Sequence, residues 1–399
     1  MITLNLHNLE GEVYMQRKQH LFIPGPTPVP PEVTAAMTRP LIGHRSSEFA
    51  SLQRSLVAQV QKVFQTKNDL FILTSSGTGA MEAAVAASVE PGDRVLALVT
   101  GHFGNRFADI AERWGAEVER LEFPWGEPVD LAAVKGALDR GPLPKAVLAT
   151  HNETSTGVVN DIAGLGALFK DTPTLLMVDA VSSMGAMDIR TDEWGVDFMI
   201  TSSQKALMLP PGLAFLSVSP KAWKVIEATK PRSYYFDLLA WKKSGEKGFS
   251  PWTPNIALLY GLEAALARLF AEGLPQVWER HRRFARLVRA GLRGMGCELL
   301  AQDAWASATV TAARTPGVDV EEVRALARRE YGLSLAGGKG KLAGQILRVS
   351  HMGYVDELEL LGVLAVLEVV LRRLGAPVVP GAGVARAEEE ILAGGGARG

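Results

Sequence analysis

The sequence predicts an α/β protein, with a mostly parallel sheet covered by helices on both faces and a smaller α+β domain after it. Two observations support this fold class. Short apolar runs alternate with helical patterns between residues 70 and 218, which is typical of consecutive βαβ units. Beyond residue 255 long helical stretches rich in Ala, Leu and Arg replace this alternation. The predicted strands of the sheet are the runs 70–73, 94–99, 117–123, 145–150, 174–178, 198–201 and 213–218.

The second domain has its own order of elements. Residues 256–288 predict one long helix or two, and residues 355–374 predict a further helix. Between them, residues 308–312 and 345–349 predict short strands. We therefore expect four parts along the chain. They are an N-terminal arm (1–20), a large domain (21–255), a small domain (256–375) and a Gly/Ala-rich flexible tail (376–399).

Composition excludes several classes of function. The 399 residues carry a net charge of −1, so no overall field attracts nucleic acid or an anionic membrane. Cys297 is the single cysteine, which rules out an intrachain disulfide and a thiolate cluster, and we expect no metal site. The first twenty residues do not resemble a signal peptide, and the apolar stretch 360–371 is too short to span a bilayer. We expect a soluble cytoplasmic protein.

Two residues that follow neighbouring strands point to chemistry, because ligands of such sheets bind beyond the carboxyl ends of the strands. Lys205 follows the run 198–201, where poor solvation favours a neutral, nucleophilic amine. Asp179 follows the run 174–178 and could keep a pyridine nitrogen protonated. Each has an ordinary alternative, a solvated loop lysine and a helix N-cap. Because they close consecutive strands, both can converge on one planar ring.

Three more turns after strands could bind a phosphorylated ring. The small residues 74–79 open an Ala-rich helix, whose free N–H groups could hold a phosphate, although the turn is neither a Walker loop nor a GxGxxG fingerprint. Phe103 could stack on a ring face or be an ordinary core residue. Thr154 could donate to a phenolate oxygen or satisfy the backbone of its own turn.

An arginine inside an apolar strand of the second domain marks a further candidate site. Arg348 lies within the run 345–349, where a buried guanidinium needs an anionic partner. Its planar fork matches a carboxylate with two hydrogen bonds. The partner could be a substrate carboxylate or an internal Asp or Glu in a structural salt bridge.

Together these motifs resemble the class V aminotransferases of fold type I, which use pyridoxal phosphate (PLP), and within them the alanine/serine–glyoxylate branch. The resemblance covers residues 21–374, nearly the whole chain. The motifs that carry it are Pro24-Gly25-Pro26-Thr27, Gly43-His44-Arg45-Ser46, Glu153-Thr154-Ser155-Thr156-Gly157, Ser203-Gln204-Lys205-Ala206, Pro210-Pro211-Gly212 and Leu347-Arg348.

The resemblance implies a seven-stranded fold-type I sheet and a role for each candidate. Lys205 carries the Schiff base and Asp179 pairs with the pyridine nitrogen. Phe103 stacks on the ring, where relatives have Trp, and Thr154 contacts the ring oxygen, where others have Ser. The residues that hold the phosphate are Ser76, Gly77, Thr78 and Gln204, completed by Thr253 of a second subunit. The residues at the substrate are Arg348, which grips its carboxylate, and Gly25 in the substrate loop.

The implied assembly is a homodimer that shares its cofactor sites, and the implied reaction is a ping-pong transamination. A small amino acid, alanine or serine, gives its amino group to a 2-oxo acid such as glyoxylate or pyruvate, while Lys205 moves the substrate proton. Relatives often have Tyr where Ser250 stands, so that phosphate contact is weakened or replaced. Alternatives are an aspartate-using aminotransferase, a PLP lyase and a silent PLP-binding regulator. A cysteine desulfurase would need a cysteine in the loop 336–341, which has none.

Overall fold

The computed structural model describes residues 18–395, so nearly all of the expected N-terminal arm and the last four residues lie outside the described part of the chain. Its helices are α1 (Pro31–Ala36), α2 (Ser47–Phe64), α3 (Gly77–Ser88), α4 (His102–Arg113), α5 (Leu131–Leu138), α6 (Ile162–Phe169), α7 (Pro220–Ala228), α8 (Leu238–Gly245), α9 (Ile256–Glu272), α10 (Leu274–Gly294), α11 (Val320–Tyr331), α12 (Glu357–Arg373) and α13 (Ala382–Gly395). No helix in residues 18–395 has the length and hydropathy of a membrane span.

The strands are given in two sets, in chain order. Those at the start and in the large domain are β1 (His20–Leu21), β2 (Asp69–Thr74), β3 (Arg94–Val99), β4 (Glu117–Glu122), β5 (Ala146–Thr150), β6 (Asn152–Glu153), β7 (Val158–Val159), β8 (Leu175–Asp179), β9 (Phe198–Ser202) and β10 (Leu213–Val218). Those of the small domain are β11 (Glu298–Leu299), β12 (Val310–Arg314), β13 (Leu333–Ser334), β14 (Ala336–Gly337) and β15 (Leu347–Ser350).

The central sheet contains all seven predicted strands, in the order β2-β10-β9-β8-β5-β3-β4. Strand β10 runs antiparallel to both of its neighbours, and the other pairs are parallel. Successive side chains enter two separate hydrophobic cores, as Ile72 and Leu73 of β2 show. Strands buried on both faces read as continuous apolar runs, which is why the sequence predicts them so well.

Helix α3 carries one side of the site and lies close to the sheet. It consists largely of Gly and Ala and packs against β9 and β10. At its first residue, Gly77, a Cβ atom would lie 2.7 Å from Cγ2 of Val181, so a larger residue would push the helix start away from the sheet. Small residues therefore bring the N-terminus of α3 to the carboxyl edge of β9.

The small domain is an antiparallel sheet, in the order β11-β12-β15-β14, covered by helices α10 to α13. The predicted strands 308–312 and 345–349 each begin two residues later than expected, at Val310 and Leu347. Strand β1 pairs in parallel with β13, and Phe22 is buried in the core of this domain. Residues 20–22 therefore contact the small domain, and the start of the large domain at residue 21 stays a prediction.

The other predicted domain boundary lies at residue 255. Residues 256–288 form two helices, because α9 ends at Gly273 (φ +88°) and Pro275 lies in the first turn of α10. The buried side chains of α9, such as Leu262 and Leu266, pack in the core of the central sheet. Helix α10 joins the small domain only from Phe284 onward. Helix α9 and the first turn of α10 thus share the core of the central sheet, and the domain boundary at residue 255 stays a prediction.

The expected flexible tail contains a docked helix. Helix α13 packs along α10, and its start is held by Glu368, whose carboxylate accepts from the N–H groups of Gly381, Gly383 and Val384. Gly and Ala in this segment are interface residues, since Ala387 is fully buried. Residues 382–395, which we expected in a flexible tail, thus form a helix that packs along α10, an arrangement that composition alone does not reveal.

Candidate active site

The carboxyl edge of the central sheet brings Asp179 and Lys205 into one site. Asp179 is the last residue of β8, and Lys205 lies three residues beyond β9. The two strands are adjacent and parallel, with Asp179 opposite Ile200. Both side chains are buried, with 4% of Asp179 and 9% of Lys205 exposed. Asp179 and Lys205, which the sequence analysis paired, therefore lie at the same edge of the sheet.

Burial shifts the pKa values of these two groups toward each other. It raises the pKa of Asp179 to about 6, a shift opposed by the Val181 N–H, 2.8 Å from the carboxylate, and by the charge of Lys205. It lowers the pKa of Lys205 to about 8, opposed by the charge of Asp179. Both groups thus titrate near neutral pH. An amine of this kind gains and loses a proton readily, which is what a nucleophile and proton carrier needs.

Segment 24–27 closes over the lysine. The Lys205 ammonium donates to the carbonyl oxygen of Pro24, and the Thr27 hydroxyl donates to the carbonyl oxygen of Lys205 over 3.0 Å. Gly25 has φ +123°, and a Cβ atom there would lie 2.6 Å from Nζ of Lys205. Glycine is therefore required at position 25, both for its backbone conformation and for the space the amine occupies. This places the predicted substrate-loop residue against Lys205.

The start of α3 forms a cradle of polar groups next to this pair. Ser76 is the N-cap, but its side chain makes no cap hydrogen bond, and Gly77 and Thr78 follow in the first turn. A hydrogen bond of 3.3 Å joins Arg106 to the Thr78 hydroxyl. Ser202 Oγ is buried without a hydrogen-bond partner, and so is Gln204 Oε1. A helix N-terminus, a cation and the unpartnered Ser202 hydroxyl, which can donate a hydrogen bond, together suit an anionic ligand.

Phe103 and Thr154 lie on the loops that follow β3 and β5. Phe103 is in the first turn of α4, half-buried, with the Arg106 guanidinium 4.8 Å from the centre of its ring. The Thr154 hydroxyl is 2.6 Å from the hydroxyl of Ser182, on the loop after β8. Phe103 is therefore not one of the fully buried core residues, and stacking on a ring stays a prediction. Thr154 bonds to a neighbouring loop and not to its own turn.

Arg348 extends from the small domain into the same region. It is buried in β15, where Nε donates to the carbonyl oxygen of Gly337 over 2.9 Å and Nη1 to that of Thr154 over 3.0 Å. Burial lowers its pKa to about 10, opposed by the charge of Glu153. Both acceptors are neutral carbonyls, so the alternative of a structural salt bridge is not realised in residues 18–395. The guanidinium keeps donors for an external carboxylate.

Thr253 is the candidate that we expect to act in a neighbouring subunit. It is exposed in the segment 250–255. Arg45 donates hydrogen bonds to the carbonyl oxygens of Ser250 and Pro251 at the start of this segment. Ser250 itself is buried, and its hydroxyl donates to the carbonyl oxygen of Trp252 over 2.7 Å. Its side chain thus stabilises its own segment. The predicted role of Thr253 depends on a second subunit.

Three further residues of the site had no role in the sequence analysis. Glu153 is fully buried and bonds to two loops, Arg106 contacts both Phe103 and Thr78, and Ser182 bonds to Thr154. A glutamate directly after a buried strand, among small polar residues, was a usable signal for Glu153. Arg106 lies in an amphipathic helix and looks like a surface residue in sequence.

Cys297 is far from this chemistry. It is packed in the hydrophobic core of the small domain, where burial raises the pKa of its thiol to about 12. A thiol in that environment stays protonated and unreactive. The described residues also contain no group of His, Cys, Asp and Glu side chains that could hold a metal ion.

Comparison with known proteins agrees with this geometry. The family model for class-V aminotransferases matches residues 20–358. The serine–glyoxylate aminotransferase of Arabidopsis thaliana is 40% identical over 94% of this chain and 96% of its own length. The L-aspartate–glyoxylate aminotransferase of Paracoccus denitrificans is also 40% identical, with the same coverage of both chains.

A solved structure extends the likeness to three dimensions. The alanine–glyoxylate aminotransferase of Nostoc sp. superposes with a TM-score of 0.86 and 34% identity, covering 93% of this chain and all of that one. The match includes both domains described above, so the architecture is that of fold type I. Sequence and structure lead to one conclusion: this chain belongs to the class-V aminotransferase family and is a transaminase.

Proposed function

We propose that the chain is a PLP-dependent aminotransferase that moves the amino group of a small amino acid, alanine or serine, to a 2-oxo acid, with glyoxylate as the leading acceptor. The observation that carries this proposal is the buried pair Lys205 and Asp179. Both lie at one sheet edge, and burial brings their pKa values to about 8 and about 6.

The residues present fit PLP. The N-terminus of α3 and the buried, unpartnered hydroxyl of Ser202 suit a phosphate, and Gln204 could donate to it through its side-chain NH₂ group. Asp179, deeper in the site, suits a protonated pyridine nitrogen, and Phe103 offers a ring face. When bound, PLP supplies a carbonyl carbon for the amine and a ring that delocalises the electrons released at the substrate Cα. Ser76, Gly77 and Thr78 would complete the phosphate contacts.

Lys205 is the proposed nucleophile and proton carrier. With a pKa of about 8, a substantial fraction of its amine is neutral slightly above neutral pH. When Nζ is not bonded to the carbonyl carbon of the cofactor, it can take the proton from the substrate Cα. The carbonyl of Pro24 and the backbone of Gly25 limit where this amine can move. Thr154 would hold the ring oxygen, supported by Ser182.

Arg348 is the proposed anchor for the α-carboxylate that every amino donor and 2-oxo acid carries. It is fixed by two carbonyl groups, so its remaining donors are held in place before the substrate arrives. The relatives named above take serine, aspartate or alanine together with glyoxylate, according to their names. Those names support glyoxylate as acceptor more strongly than they distinguish the donors, and aspartate is the second candidate.

We also propose a homodimer in which Thr253 of one subunit completes the phosphate site of the other. In the single chain, Thr253 is exposed beside a patch of aromatic residues. Tyr234 in this patch is 82% exposed, and its ring lies 4.6 Å from that of Trp252. Exposed aromatic rings beside a functional site are typical of a subunit interface.

A panel of single half-reactions tests the proposed function. The protein is loaded with PLP, trapped with borohydride and digested, and the labelled peptide should contain Lys205. Alanine, serine, aspartate and cysteine are then each added without an acceptor, and conversion to the amine form of the cofactor is followed by absorbance. We expect conversion with alanine or serine, reversed by glyoxylate. Sulfide release from cysteine, or no conversion with any donor, would refute the proposal.

A further inference from the structure

Glu153 is a fully buried carboxylate beside the site, and it accepts four hydrogen bonds. Its Oε2 accepts from the backbone N–H groups of Phe103 and Gly104, each over 3.0 Å. Its Oε1 accepts from the N–H of Ser155 over 3.0 Å and from the Ser155 hydroxyl over 2.6 Å. All four partners can donate, and these hydrogen bonds favour the carboxylate form against burial, which raises the pKa of Glu153. Every oxygen is thus occupied by the protein itself.

The carboxylate joins two loops that follow different strands. One loop begins α4 after β3, and the other is the turn after β5. The Ser155 hydroxyl reinforces this connection, because it also accepts from the N–H of His102 over 2.9 Å. Gly101 has no room for a side chain, since a Cβ atom would lie 2.6 Å from Cδ of Glu153. Sequence at both loops is therefore adapted to the buried charge.

Three proposed contacts of cofactor and substrate depend on these two loops. Phe103 carries one of the N–H groups bound by the carboxylate. Thr154 lies between the two residues that this network fixes, Glu153 and Ser155, and its carbonyl oxygen holds Arg348. A displacement of the Glu153 side chain would thus move the stacking ring, the hydroxyl for the ring oxygen and the carboxylate anchor together.

We propose that Glu153 is a positioning residue, whose carboxylate sets the relative placement of Phe103, Thr154 and Arg348 around the cofactor ring. This inference rests on the proposed function, which gives those three residues their roles. Glu153 is not a catalytic residue, because it is fully buried and all its hydrogen bonds are internal. Glu153 accepts from the backbone N–H of Phe103, so its effect on this position does not require a particular aromatic side chain.

The chain offers a matched control in Glu368. This carboxylate is also buried and accepts from three backbone N–H groups, those of Gly381, Gly383 and Val384. It lies in the small-domain core, where it holds the start of α13. The substitutions Glu153→Gln and Glu368→Gln each replace one acceptor oxygen by an NH₂ group that faces backbone donors. Both should destabilise the fold, but only the first should alter the site.

The first measurement uses the protein without cofactor. Hydrogen exchange should quicken at the Phe103 and Gly104 amides in Glu153→Gln, and at the Gly381 and Gly383 amides in Glu368→Gln. The second measurement is PLP affinity, by equilibrium ultrafiltration. We expect the dissociation constant to rise about tenfold in Glu153→Gln, and to stay within about twofold of wild type in Glu368→Gln. The ratio kcat/KM for the amino donor should fall only in the first variant.

Ser155→Ala supplies a milder second variant, which decides the matter if Glu153→Gln does not fold. It removes one of the four hydrogen bonds to Glu153 and the hydrogen bond from the His102 N–H, and we expect PLP affinity to fall about threefold. The inference is overturned if Glu153→Gln, or Ser155→Ala in its place, binds PLP and turns over like Glu368→Gln. A wild-type protein that does not bind PLP would instead refute the proposed function, and the exchange measurement would still test the link between the loops.

Discussion

Two regions of this molecule bury charged groups, and they do so differently. At the carboxyl edge of the central sheet, Lys205 and Asp179 are buried with shifted pKa values, and Ser202 and Gln204 have buried polar atoms without partners. In the packing of α10, α12 and α13, the carboxylate of Glu368 is satisfied by backbone N–H groups at the start of α13. In the second region, hydrogen bonds within the protein compensate the buried charge. In the first region, some buried polar atoms have no hydrogen-bond partner.

The packing of α13 shows what the compensated region achieves. A Cβ atom on Gly294 would lie 2.5 Å from the Ala382 carbonyl oxygen, and one on Gly383 would lie 2.8 Å from that of Gly291. Glycine thus allows the two helices to approach closely. The comparison indicates that buried polar atoms without partners at this sheet edge suit a ligand, whereas a fully hydrogen-bonded carboxylate such as Glu368 or Glu153 holds protein segments in place.

The largest expected effect comes from Lys205→Ala. Removing the amine should lower kcat by about 10⁴-fold or more, because nucleophile and proton carrier are lost together. The free energy of unfolding should not fall, since burying a lysine is itself unfavourable. Turnover assays and urea denaturation measure the two quantities. Activity near that of the wild type would show that the uncompensated charge is not functional.

Arg348→Ala comes next. Loss of a buried partner for the substrate carboxylate should cost about 2–5 kcal/mol, seen mainly as a higher KM for amino donor and 2-oxo acid alike. Arg348→Lys is the matched control, because it keeps the charge but loses the planar fork, and its KM should be intermediate. Steady-state kinetics with both substrates measure this. An unchanged KM in Arg348→Ala would move carboxylate binding to another residue.

A smaller effect on stability alone is expected for Glu368→Ala. Three N–H groups at the start of α13 lose their acceptor, which should lower the free energy of unfolding by about 1–3 kcal/mol. Limited proteolysis should then cut near residues 376–382, while kcat/KM stays that of wild type. A fall in kcat/KM without a change in stability would mean that α13 supports the active site and that the two regions are not independent.

The last expected effect is on acid stability and not on turnover. His281 and His351 are fully buried, and each donates from Nδ1 to a carbonyl oxygen and accepts at Nε2, so both are neutral. Burial lowers both pKa values to about 3. As the pH falls below the ordinary value of about 6.5, only the unfolded chain gains these protons. Stability should therefore fall by at most about 1.4 kcal/mol per pH unit for each histidine.

The variant His281→Gln isolates one of the two histidines. Its stability at neutral pH should be lower, because two hydrogen bonds are altered, but its stability should depend less steeply on pH between about 6.5 and 4. Urea denaturation of both proteins across this range gives the comparison. An identical slope would show that other groups account for the acid sensitivity. Both rings are hydrogen-bonded within the protein, like Glu368. A change in their protonation should therefore affect the free energy of unfolding and not turnover.

Most of the central sheet could be predicted from sequence, because strands buried on both faces must be apolar along their whole length. The same holds for Lys205 and Asp179, whose place after such strands sets them at one edge. Domain boundaries were less predictable. Helix α9 looks like part of the second domain, yet it packs on the central sheet, and only the neighbours of its apolar face reveal this.

The fold class, the edge of the sheet where the chemistry lies and the candidate residues at that edge follow from the sequence, because periodicity and apolar runs are local properties. The folded structure was needed to show that Glu153 joins two loops, that Arg348 is held by the carbonyl of Thr154, and that the Gly/Ala-rich tail forms a docked helix. Each of these depends on contacts between residues that are far apart in the chain, and such contacts cannot be read from composition.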